Sequence, residues 1–161
     1  MAVTTDIVRT WRGPGAVMKD LLAQGQREDR AVAYVMIACL IIFISYLPQV
    51  QYNVINGDGD FQRDASYAFL MWIMVMPLFL YGLAAVLHLI AKLFKGQGTH
   101  YSARLALFWS LLASTPALLL YGLVRGLIGP GIQANIVGAI WAFGFLWFVF
   151  QSLRVAERSD A

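Results

Sequence analysis

Four stretches of this chain are apolar for long enough to cross a membrane, and that property bounds what the chain can fold into. A hydrocarbon core about 30 Å thick needs roughly 20 apolar residues in an α-helix. Residues 31–50, 67–94, 103–124 and 133–153 each reach that length, and the second is long enough to tilt or to overrun the interface. Hydrophobic residues make up 60% of the chain and charged residues 13%. Soluble domains carry roughly 45–50% and about 25%, so a soluble fold of this size would struggle to cover its apolar surface. The predicted class is an all-α membrane protein, a four-transmembrane-helix bundle. The predicted order is a cytoplasmic pre-membrane helical segment (residues 1–30), the spans (31–153) and a cytoplasmic tail (154–161).

Charge near the span ends gives a direction. Arg9, Arg12, Lys19, Arg27 and Arg30 precede the first run, Lys92, Lys95 and Arg104 sit between the second and third, and Arg154 and Arg158 follow the fourth. Only Arg63 and Arg125 fall in the other two loops, so ten of the twelve basic residues share one face. The positive-inside rule then predicts that both termini are cytoplasmic. The loop with Asp58, Asp60 and Asp64 and the loop "GLIGPG" should face the opposite side. The opening thirty residues are polar and mixed in charge, without the short apolar core of a cleavable signal. The basic residues form no patch for nucleic acid.

The segment before the first span reads as two short helical pieces divided at Gly13-Pro14-Gly15. Pro14 suits the first turn of the second piece, where a missing N–H costs nothing. Val17, Met18, Leu21 and Leu22 recur at helical spacing, with Lys19, Asp20 and Gln24 on the other side. Such a piece is expected to lie in the membrane interface as an amphipathic helix or to dock a partner. The plainer alternative is a linker packed on its own bundle. Trp11 is an expected interface anchor, with His88, Lys92, Lys95 and Arg104.

Inside the spans, Pro77 and Pro116 each remove a backbone hydrogen bond and are expected to act as static kinks. Ala134, Gly138 and Ala142 repeat every four residues, as do Ser110 and Ser114, which marks helix-packing stripes. Every acidic residue lies outside the spans, which argues against an ion or proton pathway. His88 lies one turn before Lys92, near the basic face, and His100 lies in the loop beyond. No carboxylate or cysteine is placed by sequence to complete a metal site with them. The lone Cys39 excludes an intrachain disulfide. No serine or threonine has a His–Asp pair in reach by sequence. No catalytic, cofactor-binding or metal residue is predicted.

With these residues in hand, the chain resembles bacterial members of the YIP1 family. The resemblance rests on "WRGPGAVMKDLL", on "REDRAVAYVM" at the first span, and on "GTHYSARLALFWSLLASTP" leading into the third. It implies a multi-span helical protein of the bacterial inner membrane with a cytoplasmic N-terminus. Members of the family typically have five spans, where four runs qualify here. Eukaryotic members are associated with vesicle traffic and small GTPases; no residue carries over as catalytic. The expected function is a non-enzymatic scaffold or accessory subunit of an inner-membrane complex. Its expected partners are membrane lipids and other integral membrane proteins, or a homo-oligomer. The alternative is a small transporter or channel acting as a homo-oligomer. A headgroup-modifying enzyme using His88, His100 and Tyr101 ranks last.

Overall fold

The computed structural model describes residues 3–158, and all regular structure among them is helical. Helices α1 (Val3–Arg12) and α2 (Pro14–Ala23) precede α3 (Glu28–Ile55). One continuous rod follows, made of α4 (Phe61–Phe69), a π-helical segment (Leu70–Val75) and α5 (Met76–Leu93). Helices α6 (His100–Leu127) and α7 (Ile132–Ala156) complete the chain. The α3, α4–α5, α6 and α7 rods are the four long and apolar enough to span a membrane. Helix α3, the α4–α5 rod and α6 begin ahead of their apolar runs, in segments that carry polar residues. Asp60 caps α4 by accepting from Arg63 N at 2.9 Å, and Thr99 and Ser102 form a reciprocal capping box on α6.

Helix α6 is the centre of the bundle. From Tyr101 to Thr115 every residue but Arg104 is buried. Helices α3, α5, α7 and α1 pack around it. Phe108 and Trp109 are completely enclosed, edge-on to Tyr81 at 4.9 Å and to Tyr34 at 5.1 Å. These rings fill the space where a single-chain pore would run.

Two close helix crossings hold α6. On the α7 side, Ser110 Oγ lies 3.4 Å from Ser152 Oγ, and the Trp141 indole donates to Ser114 Oγ at 3.2 Å. Ala134 is buried, Ala142 half-buried, and Gly138 rests on the Tyr121 ring, which a Cβ there would meet at 3.0 Å. The tighter crossing is with α3. A Cβ on Gly122 would fall 1.9 Å from the Ser45 carbonyl oxygen, and one on Gly126 would fall 2.2 Å from Pro48 Cβ. This Gly-x-x-x-Gly spacing lets two backbones meet, and it is absent from the small-residue stripes expected above.

The prolines differ in how the helix absorbs them. Around Pro77 the rod changes register: residues 70–75 are π-helical, and Met76 N–H reaches back to Met71 O. At Pro116 the carbonyl deprived of a donor is Leu112 O, and Thr115 Oγ1 supplies one at 2.7 Å. Pro48, inside α3, is a third intrahelical proline beyond the two kinks expected.

The N-terminal pair does not lie free on a surface. Helix α2 packs on α7 and buries Val17, Met18 and Leu21. The apolar stripe expected to meet headgroups or a partner is covered by the chain's own bundle. Helix α1 packs on α2 and α6, with Thr10 fully buried. Thr10 Oγ1 accepts from the Trp109 indole at 3.0 Å and donates to Asp6 O at 2.7 Å. Arg9 joins the two helices outside by pairing with Asp6 at 3.2 Å and Asp20 at 2.9 Å. Asp20, then Asp6, raises the Arg9 guanidinium above its ordinary pKa.

Gly122→Leu is expected to destabilise the bundle by about 1–3 kcal/mol through overpacking at Ser45. Gly144→Leu, where a Cβ meets nothing within 4 Å, should leave stability nearly unchanged. Thermal unfolding of both variants in mild detergent checks this.

Candidate functional site

The polar groups that the fold brings together lie at the basic face, where α5 ends, α6 begins and α7 ends. Helix α5 closes with a Schellman pattern: Gly96 N–H bonds Ala91 O at 2.9 Å and Lys95 N–H bonds Lys92 O at 3.0 Å. The left-handed position of this motif, usually glycine, is Lys95 at φ 64°. The turn then runs against the end of α7. Gln97 N–H donates to Glu157 O at 3.1 Å and Gly98 N–H to Glu157 Oε2 at 2.9 Å. A Cβ on Gly96 would stand 2.3 Å from the Glu157 carboxylate and one on Gly98 2.8 Å, so only glycine lets the loop wrap this side chain.

The other carboxylate oxygen of Glu157 faces His88. Nδ1 and Oε1 are 3.7 Å apart, with the side chains 5% and 10% exposed. Both atoms are buried, and neither has a hydrogen-bond partner among the described residues. The His100 ring lies over His88 with centroids 4.0 Å apart. A carboxylate at the C-terminus of α7 is poorly placed with respect to that helix's dipole. The N-terminal turn of α6 and the Gly98 N–H offset that placement.

Outside this pair, Arg104 joins Glu28 at 2.5 Å, donates to His100 O at 3.3 Å and lies 5.7 Å from the Tyr81 ring centroid. Tyr101 donates its hydroxyl to Arg27 O at 3.3 Å. These contacts tie α3, α5 and α6 together at one level. A cleft of about 280 Å³ opens beside them, lined in part by Gln97, Thr99, Tyr101 and Ser102. Ser102 Oγ is occupied by the α6 cap, donating to Thr99 O at 2.8 Å and accepting from Thr99 N. The described residues hold no group of three or more His, Cys, Asp and Glu arranged for a metal ion.

The expected interface anchors separate into two kinds. Lys92 and Lys95 are exposed, and Arg104 is half-buried in its ion pair. His88 is buried and faces Glu157. Trp11 keeps half its surface outward, but its indole donates to Ala113 O at 2.9 Å and its ring stands edge-on to Phe148 at 5.4 Å. At the usual helical rise, Ala113 lies about 13 Å along α6 from Arg104. Trp11 is thus a bolt in the α6–α7 groove.

A family model for the Yip1 domain matches residues 8–159. The chain belongs to the Yip1 domain family. Searches among curated proteins and solved structures return no match. The Yip1 domain takes in the second half of α1 and all of α2, which agrees with the burial of Thr10, Val17 and Met18: the N-terminal pair is part of the folded unit. It also takes in Glu157, so the His88 pair joins two residues of one Yip1 domain.

Removing His88 leaves Glu157 Oε1 buried without its facing imidazole. His88→Ala is expected to cost about 0.5–3 kcal/mol, because it empties a buried position. His100→Ala, at an exposed position, should cost less than His88→Ala. Denaturant unfolding in detergent compares the two.

Proposed function

We propose that this Yip1-domain protein is a non-enzymatic scaffold or accessory subunit of a bacterial inner-membrane complex, with both termini cytoplasmic. The observation that carries the reading is the filled centre of the bundle. Phe108, Trp109, Leu105 and Leu112 are buried on α6, where a transporter would need a polar path. The His88 and Glu157 side chains are enclosed together at the rim. What the bundle offers its surroundings is apolar surface: Leu78, Phe79, Ile140 and Phe143 are 76%, 59%, 65% and 75% exposed. Such faces suit lipid and the apolar helices of membrane partners. The cytoplasmic placement of the termini draws on the ten basic residues of that face.

Extraction in a mild detergent followed by native mass measurement tests the role. A stable assembly with other membrane proteins supports it. A lone homo-oligomer that passes solute across reconstituted vesicles contradicts it and favours a transporter. Direction is tested separately by cysteine labelling. In intact cells an impermeant thiol reagent should modify Asp58→Cys, and should reach Lys19→Cys only after permeabilisation. The reverse pattern would overturn the orientation.

A further inference from the structure

Helices α5 and α7 both end at the basic face and both pack on α6, but they do not pack extensively on each other. The gap between their ends is a half-open cleft of about 450 Å³. Its apolar wall includes Ala91, Phe94, Phe150 and Leu153, and its rim carries Lys95, Arg154 and Arg158. Phe94 is 82% exposed and Phe150 58% exposed, at the level where each rod leaves its apolar run. A cation follows each ring: Lys95 is next in sequence to Phe94, and Arg154 lies one turn after Phe150, 5.7 Å from its ring centroid. Glu157 also lines the cleft, but its oxygens turn inward, Oε1 toward His88 and Oε2 onto Gly98.

Lys95 adds a second observation. It holds the left-handed position of the Schellman turn, where glycine would be free of strain. A strained lysine at a cleft rim points to a use for its ammonium group.

We infer that this cleft is a binding site for one anionic phospholipid of the leaflet at the basic face. Its phosphate rests on Lys95, Arg154 and Arg158, and an acyl chain covers Phe94, Phe150 and Leu153. Charge complementarity selects the headgroup, and the apolar wall distinguishes a lipid from a soluble phosphate. The inference does not depend on the scaffold role.

The test uses the full chain, delipidated in detergent and offered equal concentrations of phosphatidylglycerol and phosphatidylcholine with matched acyl chains. Native mass spectrometry reads the bound lipid. The wild-type protein should retain phosphatidylglycerol at least about tenfold over phosphatidylcholine, as expected when two or three cations meet one headgroup. Lys95→Gly with Arg154→Ala should abolish that preference. Arg12→Ala with Lys19→Ala, an equal charge change on the N-terminal pair, should keep it. Lys95→Gly alone should melt no lower than wild type, which separates lost binding from lost folding. Glycerol 3-phosphate at the same concentration should not displace the lipid. Equal retention of both lipids, an unchanged preference in the Lys95–Arg154 variant, loss in the Arg12–Lys19 variant, or displacement by glycerol 3-phosphate would each overturn the site.

Discussion

Hydrocarbon offers no water to a polar group, so every donor and acceptor carried into it must find its partner within the protein. That constraint explains most of this bundle's distinctive contacts. The carbonyl stranded by Pro116 takes the Thr115 hydroxyl, and Ser45 and Ser114 donate to Ile42 O and Leu111 O. The rod around Pro77 changes to π-helical register. The Trp109 indole, fully enclosed on α6, finds Thr10. Without α1 that donor would have no partner, so the first helix of the chain completes the core of the sixth.

The contact between α1 and α6 changes the meaning of the N-terminal segment. Helices α1 and α2 close the α6–α7 groove, with Trp11 bonded to one wall and edge-on to a ring of the other. At the neighbouring end, the turn after α5 wraps Glu157 and brings His88 beside it. The bundle is packed through its centre, tied at its rim and apolar on its outer faces. The scaffold reading rests on that filled centre. The lipid cleft lies where two rods diverge and the packing is open.

The four rods were legible from hydropathy because a span of this length has few alternatives, and the break at Gly13-Pro14-Gly15 was legible from the missing proline N–H. The small-residue stripes marked packing positions without naming the helices that would meet there. The Gly122–Gly126 pair was equally visible in "GLVRG", but spacing alone does not say that Ser45 and Pro48 would be the atoms met. The partner of His88 was not legible. Glu157 lies outside the spans and 59 residues beyond Gly98, the residue whose amide binds it, so its sequence position suggests solvent. Nor does the amphipathic stripe of α2 reveal its cover. Val17, Met18 and Leu21 would show the same spacing against lipid, a partner or α7.

The claim on which the account turns is that residues 3–23 belong to the folded bundle. Amide hydrogen exchange of the full chain in lipid nanodiscs measures this directly. The account predicts that the amides of the inner turns of α1 and α2 exchange slowly, within about an order of magnitude of those in the first half of α6, because all three open together. Exchange of residues 3–23 at the rate of an unstructured peptide, with α6 still protected, would contradict it.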